Sequence, residues 1–213
     1  MLTRLTLVSF LLCACACVAR ADEAPTPQQI QDWWKASSTE ELNIDGPLME
    51  VVLMDKEVAF IAPVSLYPRG RNFIWHAALI RPKLHQVREL PYPVGYQNIT
   101  ILHFDDDDAS VVMSDDVASG QGSTDRTRSV VRLDGFSPVV MHIVVDGDDL
   151  GSCGPGLNSP NCKEVRTEWK FGPSEMTETV TTRTGHHVNH LAAHKEVRRY
   201  VLRGNYFVRD DAR

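Results

Sequence analysis

The sequence predicts an all-β chain with one short N-terminal helix, and three observations carry that prediction. Beyond Leu48 it is a succession of short β-branched and aromatic runs divided by turn residues. Those runs recur as three four-stranded antiparallel units, offset by about 53 residues and then by about 69. Helical character is concentrated near the start, in Pro27 to Ala36.

The first element is not expected to persist. Arg4 precedes an apolar run from Leu5 to Val18, and Ala19-Arg20-Ala21 supplies the small-x-small pattern of a cleavage site. Residues 1–21 therefore read as a signal peptide, with Asp22 as the mature N-terminus and an exported, periplasmic or secreted product. Leu12-Cys13-Ala14-Cys15 offers the alternative of a lipoprotein acylated at Cys15. Residues 22–47 read as a helix and linker. Thr26 can cap the helix, Pro27 suits its first turn, and Trp33 and Trp34 can dock it on the body. Residues 48–213 read as a single all-β repeat domain.

Its expected strands lie at 49–54, 58–62, 73–80, 85–90, 99–104, 110–114, 128–133 and 138–145, then at 165–171, 177–183, 197–203 and 206–209. Three four-stranded units cannot close a propeller ring, which needs about four blades or more, so a blade-like fan or a folded-over sandwich is expected, capped by the helix. The stretch Ile101 to Val112, with Asp105 to Asp108 inside it, resembles an FG-GAP/VCBS-type repeat. Val130-Val131-Arg132-Leu133-Asp134-Gly135-Phe136 is similar to the strand and turn that follow in exported bacterial members. The resemblance implies a propeller-blade-like unit and a calcium loop in which Asp105 and Asp107 match alternating ligands, while Ala109 stands where a third oxygen belongs.

Cys153 and Cys162, in a Gly/Pro/Asn-rich stretch, are expected to form a disulfide in an exported chain. Loss of Arg4 and Arg20 with the leader takes the formal charge from −6 to −8. An acidic chain without a basic cluster is a poor ligand for nucleic acid. No second long apolar segment follows, so the mature chain has no predicted membrane span.

Two clusters are candidate metal ligands. Asp105 and Asp107 can share calcium, a hard cation that takes oxygen donors, and Asp146 to Asp149 is a lesser candidate of the same kind. His186, His190 and His194 fall on one face if their segment is helical and can then hold zinc. The plainer reading of both is a solvated surface segment. Neither the Gly-x-Ser-x-Gly elbow nor the HExxH pattern is present.

Ser119 to Ser123 reads as an open loop, and His76, His103 and His142 read as structural residues within strands. Three equivalent connections, 62–72, 115–127 and 184–196, are expected to emerge as loops on one side. Tyr67, Arg69 and Arg71 in the first are the expected partner contacts, because Tyr and Arg are enriched in binding hot spots. The leading functional reading is an exported non-enzymatic protein that engages another protein, such as a cell-envelope enzyme it inhibits. The alternatives are a calcium- or zinc-binding module and a hydrolase assembled from dispersed residues such as His76, His103 and Asp105.

Overall fold

The computed structural model describes residues 24–69, 75–104, 109–157 and 159–210. Helix α1 (Pro27–Lys35) begins as expected: Thr26 accepts from the Gln29 N–H, and the Gln29 side chain reaches back to the Thr26 N–H. Ile30 and Trp34 are buried, and the Trp34 indole donates to the Glu40 carbonyl at 2.8 Å. Trp33 stacks on His85, with ring centroids 5.2 Å apart.

Five strands form the first sheet: β1 (Glu41–Ile44), β2 (Met49–Val52), β3 (Val58–Tyr67), β4 (Trp75–Arg81) and β5 (Gln86–Glu89), in the order β1-β3-β4-β5 with β2 also paired to β3. This sheet is covered on both faces, which is why β3 reads as an almost unbroken apolar run. Phe60, Ala62, Val64 and Leu66 pack with Ile30 and Trp34 of the helix. Ala59 and Ile61 point the other way, into a core shared with Val112, Val131 and Leu133 of the second sheet.

The second sheet is a sequential antiparallel meander of eight strands: β6 (Gln97–Leu102), β7 (Val111–Gly120), β8 (Ser123–Asp134), β9 (Ser137–Asp148), β10 (Cys162–Phe171), β11 (Glu175–Gly185), β12 (Ala192–Arg203) and β13 (Tyr206–Arg209). It curls until β13 touches β9, and Arg132 of β8 donates to Asn205 Oδ1 in the β12–β13 turn at 2.7 Å. Phe104, Val111, Val130, Met141, Met176 and Phe207 fill the curl. Between β9 and β10 the ladder is short, pairing Glu164 with Asp148 and Val165 with Gly147. Beyond it the Asp146 carboxylate takes over, accepting from the Thr167 N–H at 3.0 Å and from its hydroxyl at 2.6 Å.

Each of the twelve expected strands overlaps an observed one. The β1 strand lies in the segment expected to be linker; with four residues and one buried side chain it offers too little alternation to read. The described strands form two sheets, and a three-blade arrangement is not confirmed. Residues 115–127 are not a loop. They belong to β7 and β8, which pair as far as Gly120 with Ser123 around a two-residue turn. Gln121 and Gly122 carry φ of 51° and 83° there, the left-handed pair of a tight hairpin. The segment 184–196 is likewise mostly strand, and the histidine segment is not helical: His186, His187 and His190 lie in the β11–β12 connection and His194 in β12. Cross-strand pairing of Thr182 with His194 overrides the i, i+4 spacing. Cys153 and Cys162 stand at disulfide distance, with Cα atoms 5.0 Å apart.

Candidate binding cleft

Between β5 and β6 the chain runs Leu90-Pro91-Tyr92-Pro93-Val94-Gly95-Tyr96, too proline-rich to continue a strand. Leu90 and Val94 turn inward to the core between the sheets. Their burial leaves Tyr92 and Tyr96 on the outer side. A buried serine pair fixes the segment: Ser129 donates to the Pro93 carbonyl at 2.7 Å, and Ser114 accepts from the Gly95 N–H at 2.9 Å. The two hydroxyls lie 3.2 Å apart, both fully buried. Gly95 lies so close to β7 that a Cβ would fall 1.9 Å from the Asp115 carbonyl oxygen, so no other residue fits. Asp115 also accepts from the Asn98 amide at 2.7 Å.

The segment forms one wall of a cleft of ≈ 710 Å³. Trp75, 49% exposed, also lines it, stacked on Tyr96 with centroids 6.3 Å apart and planes at 23°. Tyr92 is 68% exposed, while Leu90 and Val94 are buried in the lining. Asp116 to Ser119 of β7 complete the lining.

Behind Trp75 lies an ion-pair network. His76 Nδ1 meets Glu89 Oε1 at 2.6 Å, and Arg69 Nη2 meets Glu89 Oε2 at 2.9 Å. Arg69 also grips Glu40 with two hydrogen bonds of 2.7 Å, which hold the Glu40 carboxyl below its usual range. Arg69 Nη1 approaches His76 Nε2 at 3.3 Å. A guanidinium only donates, so Nε2 accepts and the ring proton sits on Nδ1 toward Glu89. Both ring nitrogens of His76 thus face partners, which braces the ring beside the cleft.

The curl of the second sheet holds a second centre. Glu178 is fully buried, 2.7 Å from His142 Nε2, 3.1 Å from the Trp169 indole nitrogen, and 3.2 Å from both Arg198 Nη1 and the Tyr200 hydroxyl. Burial alone pushes its carboxyl up, but the hydrogen bonds from His142, Trp169 and Tyr200 and the His142 charge win and bring it to about 2. Tyr200 moves the opposite way, raised by burial and by the Glu178 carboxylate.

The expected site residues scatter. Tyr67 ends β3, 44% exposed, and Arg69 is braced behind the cleft. Arg71, Asp105 and Asp107 lie outside the described residues. His186, His190 and His194 are exposed, and no three possible metal ligands gather into one group among the described residues. Nor does His103 join His76; it is exposed beyond the end of β6. Missed by the sequence reading were Trp75, Tyr92, Tyr96 and Glu89. The legible signal was the pair of tyrosines among prolines and a glycine just after a strand. Among the described residues no helix is long and apolar enough to cross a membrane. Comparisons with family models, curated proteins and solved structures return no match to this chain.

Proposed function

We propose that the protein is an exported, non-enzymatic binding protein whose partner is another protein, received in the cleft between the two sheets. One observation carries the reading: exposed aromatic rings, Trp75 and Tyr92, stand over a cleft whose wall is pinned by fully buried hydrogen bonds. Rigid, half-exposed aromatics give contact area at small entropic cost, which is why they dominate binding hot spots. The engaged nitrogens of His76 and the paired carboxylate of Glu89 support binding over catalysis. Tyr67 and Arg69 keep a part in this reading, Tyr67 as an outer contact and Arg69 as the brace behind the cleft.

In the same reading β2–β5, β6–β9 and β10–β13 are three four-stranded units akin to degenerate FG-GAP/VCBS-type repeats. The short ladder between β9 and β10 supports a unit boundary there. The leader directs export, and the Cys153–Cys162 pair suits an oxidising compartment.

The test is capture of a partner from envelope and culture-fluid fractions on immobilised protein, followed by titration of the purified partner. Trp75→Ala/Tyr92→Ala is expected to lose about 2 kcal/mol or more of binding, the hot-spot range. Equal affinity of wild type and double variant would move the site elsewhere.

A further inference from the structure

The charges around the cleft go beyond the fact of binding and indicate what is bound. Its ionisable lining is His76, Glu89 and Asp116; no lysine or arginine lines it among the described residues. The two Glu89 oxygens are taken by His76 and Arg69. Asp116 is exposed on β7 and makes no ion pair with a described residue. Three aromatic rings, Trp75, Tyr92 and Tyr96, share the same space. Aromatic faces are negative at the ring centre and attract cations, most strongly for Trp. An exposed carboxylate in the same lining adds a second attraction of the same sign. The whole chain, at formal charge −6, draws positive ligands from a distance.

We propose that the cleft receives a basic peptide segment of the partner, with a lysine or arginine head group held between the Trp75–Tyr96 stack, Tyr92 and Asp116. This rests on the cleft being the partner site and names the chemistry of what enters it. The apolar floor of Leu90 and Val94 suits the methylene stem of such a side chain, while the rings and the carboxylate take the charge.

The experiment uses the full folded chain and three capped pentapeptides: glycines with two lysines, the same with both lysines acetylated, and the same with two glutamates. Binding is read by calorimetry and by indole fluorescence. The lysine peptide is expected to bind, to weaken as salt rises, and to outbind the acetylated and glutamate peptides by about tenfold or more. Trp75→Ala should weaken it about tenfold. Asp116→Asn, an exposed change that leaves the core untouched, should weaken it about threefold, as for a surface ion pair.

Equal binding of the acetylated peptide, or no binding of the lysine peptide, overturns the proposal. So does binding that neither variant alters, since the peptide then sits elsewhere. Competition separates this failure from that of the cleft itself. If Trp75→Ala/Tyr92→Ala loses the native partner but the lysine peptide never displaces it, the cleft stands and the cationic occupant falls. If the double variant keeps the native partner, the cleft reading falls first.

Discussion

Two histidine–glutamate pairs in this molecule have nearly the same geometry, 2.6 Å for His76–Glu89 and 2.7 Å for His142–Glu178. Each carboxylate also meets an arginine, and each pair has aromatic neighbours: Trp75 and Tyr96 around the first, Trp169 and Tyr200 around the second. Around Glu178 the rings close inward. Tyr200 and the Trp169 indole spend their polar atoms on the carboxylate, and no side-chain surface of Glu178 reaches water. Around Glu89 the rings turn outward, and the space between them stays open. What separates a structural centre from a candidate site is therefore where the aromatic faces go, and not which residues are present.

The two centres separate most sharply when the buried carboxylate is removed. Glu178→Ala should cost about 3–5 kcal/mol, because His142, the Trp169 indole and the Tyr200 hydroxyl lose their shared partner in a desolvated site, while Arg198 keeps Glu196. Urea unfolding measures it. Partner binding per folded molecule should be unchanged, which separates the two centres.

The same carboxylate has a pH signature. Its folded pKa of about 2 lies below the ordinary 4.5, so its stabilisation is complete above pH 4.5 and is lost as pH falls toward 2. Urea midpoints between pH 5 and 2 should fall less steeply in Glu178→Gln than in wild type. Glu40 and Glu196, also held below their usual range, leave a residual slope. An identical slope in the variant would show that Glu178 does not supply it.

Reducing Cys153–Cys162 should cost about 2.5–3 kcal/mol from the freed loop, with no change in binding. Ser129→Ala leaves the Pro93 carbonyl without its partner and should cost about 1–3 kcal/mol. Unlike the disulfide, it should also weaken partner binding, because the Tyr92 segment loses its anchor.

The strands were legible because alternation and turn residues are local. Even the start of Tyr206–Arg209 follows from the Gly204-Asn205 turn. Sheet membership was not: a β-hairpin in a blade and one in a long meander share a period of two, and the difference lies in which edge meets which. The 115–127 segment shows the other limit. Its polar and glycine-rich composition resembles a loop, yet a two-residue turn at Gln121-Gly122 lets both arms pair throughout. In the site, Arg69 was legible as an arginine near a strand end. Its role was not, since Glu40 and Glu89 are 29 and 20 positions away and meet it only through the sheet. Tyr92 and Tyr96 become a wall only because Ser114 and Ser129, far along the chain, hold their backbone.

The smallest expected effect is also the most discriminating. Trp75 is half exposed, so Trp75→Ala should change unfolding free energy by about 1 kcal/mol or less, as surface substitutions do. Titrating the captured partner onto wild type and onto Trp75→Ala, with unfolding of both measured alongside, tests whether the cleft is the binding site. Trp75→Ala is expected to lose at least about tenfold in affinity, a hot-spot effect, with stability nearly preserved. Unchanged affinity, or a loss that merely follows a collapse in stability, would contradict that assignment.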